Sequence, residues 1–280
     1  MSGANVVLEV RHLSMVFPGR TRGETVPVLD NVDLEIRRGE FVCLVGPSGC
    51  GKSTLLNIIA GFTTATQGEV RIEGETVGRP DARRVFVFQE NGVFPWMTVR
   101  ENIAFGLRDR TRAEQAAIVA HYVALTGLQG FEGAYPRALS GGMKQRVEIA
   151  RALAAKPDIV YMDEPFGALD YITRLKMRAE LIDIWAREGI TILFVTHDID
   201  EAVQLADRVI VLSRRPGSVR DIITMPAARP RDMGTRAYGA ARHRIFAAIG
   251  LTEFVGHSAA PPRVPENTAE PDGVMAGSWP

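Results

Sequence analysis

The chain has 280 residues, enough for a large buried core, and its 46% hydrophobic and 24% charged content is ordinary for a globular protein. Its 33 Lys plus Arg balance 33 Asp plus Glu, so no basic field favours a nucleic-acid partner. Two cysteines, Cys43 and Cys50, make no disulfide framework; with no secretion-signal pattern and no apolar run near about 18 residues, a soluble protein of a reducing cytosol is expected.

Residues 6–17 and 31–36 alternate apolar and polar side chains, as half-exposed strands do. The apolar run Phe41–Val45 predicts a buried strand. It leads into Gly46-Pro47-Ser48-Gly49-Cys50-Gly51-Lys52-Ser53-Thr54, and then into the helix-periodic Leu55, Leu56, Ile58 and Ile59. Gly46, Gly51, Lys52 and Ser53 fill the pattern G-x-x-x-x-G-K-[ST] in its required strand–loop–helix context. Glycines let successive backbone N–H groups point inward at β- and γ-phosphates, and the helix N-terminus adds its positive dipole end. Lys52 is suited to neutralise phosphate charge, and the Ser53 hydroxyl to ligate Mg²⁺.

Residues 69–77 alternate again around Gly74, which suggests a small antiparallel sheet beside the nucleotide. Val85–Phe88 reads as another buried strand. Gln89, at its end, fits either a polar turn or a contact to Mg²⁺ and water that adds no charge. From about residue 98 to 156 the pattern is helical. Thr98 and Glu101 match a capping box, and residues 112–128 form an amphipathic helix ending near Gly127. Ser140-Gly141-Gly142 opens the helix MKQRVEIARALA, where a hydroxyl and bare amides make either a simple cap or a second anion site. The apolar Ile159–Met162 ends in Asp163-Glu164, where parallel α/β sheets bind ligands. Asp163 is placed to hold Mg²⁺ through its water shell, and Glu164 to act as general base on water. A helix over 171–188, the strand Thr191–Thr196 ending at His197, a helix over 198–206 and the strand 208–213 complete an α/β alternation. His197 is placed to donate to a γ-phosphate; His12, His121, His243 and His257 lack such a context. No internal repeat is evident, and residues 251–280, rich in Pro, Ala and Gly, predict a disordered tail.

The segments LSGGMKQR and IVYMDEP resemble the signature and Walker B motifs of ATP-binding cassette (ABC) ATPases, and the resemblance spans residues 6–250 with every motif in order. It implies an α/β P-loop fold: a RecA-like parallel-sheet core, a small antiparallel β subdomain, and a helical subdomain inserted over about residues 92–156. By resemblance, Gly46–Thr54 are Walker A, Gln89 the Q-loop, Leu139–Gln145 the signature, Asp163-Glu164 Walker B with the catalytic Glu, Gly167–Asp170 the D-loop and His197 the switch histidine. The cofactors implied are ATP and Mg²⁺, with Ser53, Gln89 and Asp163 around the metal. Phe17 stands where the family stacks an aromatic, usually Tyr, on adenine, although a core Phe is the alternative. Tyr171 departs from the small residue that relatives often carry after the D-loop Asp.

The family closes ATP between two copies arranged head to tail, so Ser140 and Gly142 are expected to meet nucleotide held by the partner copy; Gly141 and Asp170 are expected among the nucleotide-binding residues as well. QENGVFPWMTVRENIAFGL, DEPFGALDYITR and VIVLSRRPGSV resemble cassettes of nitrate, sulfonate, taurine and bicarbonate importers. That implies separate transmembrane permease subunits, a periplasmic or lipid-anchored solute-binding protein, and a place on the cytoplasmic face of the membrane. Exposed Phe94, Pro95 and Trp96 would receive a permease helix, or else a helical subdomain packs these aromatics for itself. Arg214 and Arg215 read as a solvated turn. The alternative function is a soluble, non-transport ABC ATPase. A P-loop kinase lacks the signature, and no N-K-x-D specifies guanine.

Overall fold

In the computed structural model, residues 5–21, 23–88, 92–167, 169–225 and 228–251 are described. Gln89, Ala168 and the expected tail from residue 252 lie outside them. Strands β1 (Val6–Pro18), β2 (Thr25–Arg37), β4 (Gln67–Ile72) and β5 (Glu75–Thr76) form an antiparallel sheet in the order β2-β1-β4-β5. The alternation seen in the sequence is its cause: Leu34 and Ile36 face inward while Glu35 and Arg37 face solvent.

The second sheet has the order β10-β9-β3-β8-β7-β6. Its members are β3 (Phe41–Val45), β6 (Arg84–Val87), β7 (Ile159–Asp163), β8 (Thr191–Val195), β9 (Arg208–Leu212) and β10 (Val219–Thr224). All pairings are parallel except that of β10 with β9. Such strands are covered on both faces, so they read as continuous apolar runs. Successive residues of β3 split between two cores. Phe41, Cys43 and Val45 join the cluster beneath the helices, whereas Val42 and Leu44 join the one against the antiparallel sheet and α1 (Lys52–Ala60).

The other helices are α2 (Val99–Ala104), α3 (Arg112–Leu125), α4 (Gly141–Ala154), α5 (Tyr171–Glu188), α6 (Ile199–Leu205) and α7 (Arg236–Ile249). Thr98 and Glu101 make both hydrogen bonds of the expected capping box. Thr111 and Glu114 make a second, which carries the same sequence signature and went unread. The expected 112–128 helix stops at Leu125, where Thr126 caps it and Gly127, at φ 64°, turns the chain out of helical geometry. The strand expected over Val85–Phe88 ends at Val87. Phe88 is not buried but 48% exposed, its ring 4.4 Å from that of Phe86. No helix among the described residues is long and apolar enough to cross a membrane.

Candidate functional site

Neighbouring strands bring the motifs together. The order β3-β8-β7 sets Leu44 level with Val195, and Val195 level with Asp163. The segments leaving the C-terminal ends of these strands carry the phosphate loop, His197 and Glu164. A ligand at this edge meets all three.

The loop turns from β3 into α1 with Gly49 and Gly51 in the left-handed region. Gly51, at φ 104°, holds a backbone conformation that strains any other residue, and a Cβ there would also lie 3.1 Å from Val28 O. Lys52 is buried, and its Nζ donates to Gly46 O at 2.9 Å and Pro47 O at 3.3 Å. The ammonium is thus held by loop carbonyls at the mouth of a cavity of about 490 Å³, which Phe17, Ser48, Thr54, Glu164 and Arg215 also line. Phe17 is 38% exposed and lies opposite Val26 in the β1–β2 register, with a face available to a planar ligand rather than enclosed in the core.

Burial raises the Asp163 carboxyl above its usual range, while the Ser53 hydrogen bond opposes that shift. Its Oδ1 is buried with no hydrogen-bond partner among the described residues. An orphaned carboxylate oxygen beside a serine hydroxyl is a hard, oxygen-only donor pair, which fits a divalent cation such as Mg²⁺. Glu164 adopts φ 45°, a left-handed conformation costing about 1 kcal/mol or more in a non-glycine residue. Its N–H still donates to Val195 O at 2.9 Å, and its Oε2 lies 2.9 Å from His197 Nδ1. With Nδ1 on Glu164, Nε2 of the imidazole is left for a ligand.

Both neighbours of His197 are fixed. Thr196 Oγ1 donates to Glu201 at 2.6 Å and accepts from Asp198 N at 3.0 Å. The buried Arg178 of α5 bridges Asp198 at 2.7 Å and Glu201 at 2.9 Å. Sequence reasoning missed this cluster, because its members are ordinary helix-surface residues until the fold folds them inward.

Ser140 caps α4, accepting from Met143 N at 3.3 Å, and is exposed together with Gly141. Asp170 caps α5 by accepting from Thr173 N at 3.0 Å, and the Thr173 hydroxyl helps hold its carboxyl below the usual range. The two helix starts adjoin: a Cβ on Gly142 would lie 2.7 Å from Thr173 Cγ2. No hydrogen bond among the described residues joins Ser140, Gly141 or Gly142 to the phosphate loop.

Two further expectations are corrected. Phe94 is not exposed: it is half-buried, with Phe105 at 4.5 Å and the Arg151 guanidinium at 4.8 Å from its ring. Pro95 and Trp96 remain exposed, Trp96 at 69%. Arg215 is not a bare solvated turn, since it lines the phosphate-loop cavity. Glu148 was also missed. Fully buried on α4, it accepts from Phe88 N at 3.2 Å and Gly92 N at 3.0 Å, and Arg151 donates to Gly92 O at 2.6 Å. Both flanks of the segment containing Gln89 are therefore tied to the helix that Ser140 caps.

Comparison with known proteins gives a consistent result. The family model described as ABC transporter matches residues 29–167. The nitrate import ATP-binding protein of Synechocystis sp. is 51% identical over 220 residues, covering 78% of this chain and 82% of the relative. The aliphatic sulfonates import ATP-binding protein of Bacillus cereus is 41% identical over 243 residues, covering 86% and 95%. Among solved structures, a dimeric ATP-binding cassette in a post-hydrolysis state, bound to ADP and Pi, aligns with a TM-score of 0.67 at 32% identity, over 79% of this chain and 100% of that one.

Proposed function

Since this chain belongs to the ABC transporter family and is an ATPase, we propose that it energises uptake of a small oxyanion, of the nitrate or sulfonate kind, through separate permease subunits. The observation that carries the site is the convergence of Lys52, the Ser53–Asp163 pair and the Glu164–His197 pair at one end of β3, β8 and β7. In this reading Gly46–Thr54 wrap the phosphates of ATP, with Lys52 exchanging its carbonyl partners for phosphate oxygens. Ser53, Asp163 and Gln89 (the last outside the described residues) hold Mg²⁺. When bound, that ion neutralises charge on the β- and γ-oxygens. Glu164 accepts a proton from the attacking water. His197 orients Glu164 through Nδ1 and turns Nε2 toward the γ-phosphate. Phe17 offers its ring face to adenine.

The Ser140–Gly142 helix start, exposed at Ser140 and Gly141, and the neighbouring Asp170 complete the site of a second copy, head to tail. An ATP that touches both copies binds the closed pair better than the open one, so binding favours closure and hydrolysis releases it. The uptake reading rests on the relatives named for nitrate and sulfonate import. In this reading separate permease subunits supply the path across the membrane, and the cassette sits peripherally on its cytoplasmic face. A solute-binding protein outside the membrane supplies the permease. The cassette spans residues 6–250, with residues 92–156 as its helical part and Trp96 as the exposed anchor for a permease helix. Inactivating the gene should abolish growth on nitrate as sole nitrogen source or on a sulfonate as sole sulfur source. Unaltered growth and uptake of both solutes would contradict the solute assignment.

A further inference from the structure

The loop joining β9 to β10 meets the phosphate loop at buried Gly217, while Arg214, Arg215 and Pro216 are exposed. Gly217 N donates to Val28 O at 2.8 Å, and Gly217 O accepts from Asp30 N at 2.9 Å, which bridges this loop to β2. A Cβ on Gly217 would stand 2.2 Å from Cys50 O, so only glycine lets the two backbones touch. Two residues earlier, Arg215 Nε donates to Pro27 O at 3.0 Å. This contact fixes the base of the guanidinium beside β2, the strand paired with Phe17. The terminal nitrogens have no acceptor among the described residues, and no carboxylate there pairs with Arg215. The same side chain lines the cavity holding Lys52, Ser53 and Phe17. A planar fork of donors, anchored at one nitrogen and facing an anion cavity, suits bidentate pairing with phosphate.

We propose that Arg215 is a nucleotide-binding residue whose terminal nitrogens pair with the phosphate chain of bound ATP or ADP. The proposal rests on the nucleotide site assigned above. Arg214 and Arg215 are both exposed, but only Arg215 lines the cavity, so the selectivity lies in the position and not in local charge.

Titration calorimetry on the full chain tests it, with ATP, ADP and inorganic tripolyphosphate as probes at low and high salt. Melting curves verify that each variant is folded. Arg215→Ala should weaken all three probes about tenfold at low salt, the effect of losing one well-formed charged contact. Arg215→Lys should recover part of the loss, Arg214→Ala should match the wild type, and high salt should shrink the difference. Wild-type affinity in Arg215→Ala, with Lys52→Ala strongly impaired, would overturn the proposal and leave the nucleotide site intact. Loss of ATP affinity without loss of tripolyphosphate affinity would also overturn it, by moving the contact to the base or ribose. Were Lys52→Ala equally silent, the underlying site assignment would fail as well.

Discussion

Glu164 combines a strained backbone with a direct contact to His197, and both follow from where β7 ends. Strain at a residue that only capped a loop would have no offsetting gain; in the proposed role of general base it would fix the carboxylate against its orienting partner. Replacing Glu164 by Gln keeps the shape and removes the proton acceptor. Turnover should fall about 10²–10⁴-fold while ATP affinity holds. Steady-state phosphate release read beside equilibrium ATP binding checks this, and near-wild-type turnover would remove Glu164 from the role. Tyr161 offers a contrasting case. Its hydroxyl is fully buried without a partner among the described residues, and burial pushes its pKa far up. Tyr161→Phe should therefore leave stability unchanged or raise it by about 1 kcal/mol in urea unfolding; clear destabilisation would mean that the hydroxyl is satisfied. At this scale the sequence was legible where chemistry is contiguous, as in Gly46–Thr54. Arg215 was opaque because its partner Pro27 lies on a strand brought beside it only by folding.

Among the elements, α4 has two tasks, since Ser140 begins it and Glu148 within it ties down the backbone at Phe88 and Gly92. Burial raises the Glu148 carboxyl above the usual range, against the two N–H donors and Arg151. An acid whose folded pKa is raised contributes stability that is fully present below its unfolded pKa and is lost as pH rises through the folded one. The stability advantage of wild type over Glu148→Gln should therefore narrow as pH climbs from about 4 through that raised value. Urea unfolding across pH 4–7 measures it, and an advantage that widened with pH would mean the charged form is the one stabilised. Trp96 precedes α2, and its exposure is not shared by Phe94, which packs inward. Trp96→Ala should spare nucleotide binding yet weaken co-purification with the permease; undiminished co-purification would withdraw the docking role. Long elements were readable from period and caps, so α5 falls on its expected span of residues 171–188. Neither β10 nor α7 was read. β10 is an edge strand with only Ile223 buried, and α7 buries only Tyr238, Ala241 and Ile245 among its arginines, too sparse a stripe to announce a helix.

For the whole molecule, the distribution of functional groups is lopsided. One edge of the parallel sheet gathers Lys52, Asp163, Glu164 and His197, while Ser140 and Asp170 cap helices with no hydrogen bond to the phosphate loop among the described residues. The fold was legible from the order of the motifs. The proposed need for a second copy was legible only through the family resemblance, because a surface that meets another copy leaves no pattern in the chain's own core. The central claim is that Ser140 closes the site of its partner. Sedimentation of Glu164→Gln with saturating ATP and Mg²⁺ tests it most directly, run beside the same variant carrying Ser140→Arg. The account predicts a nucleotide-dependent dimer in the first and monomer in the second. A Glu164→Gln protein that stays monomeric with ATP bound, or a dimer indifferent to Ser140→Arg, would contradict it.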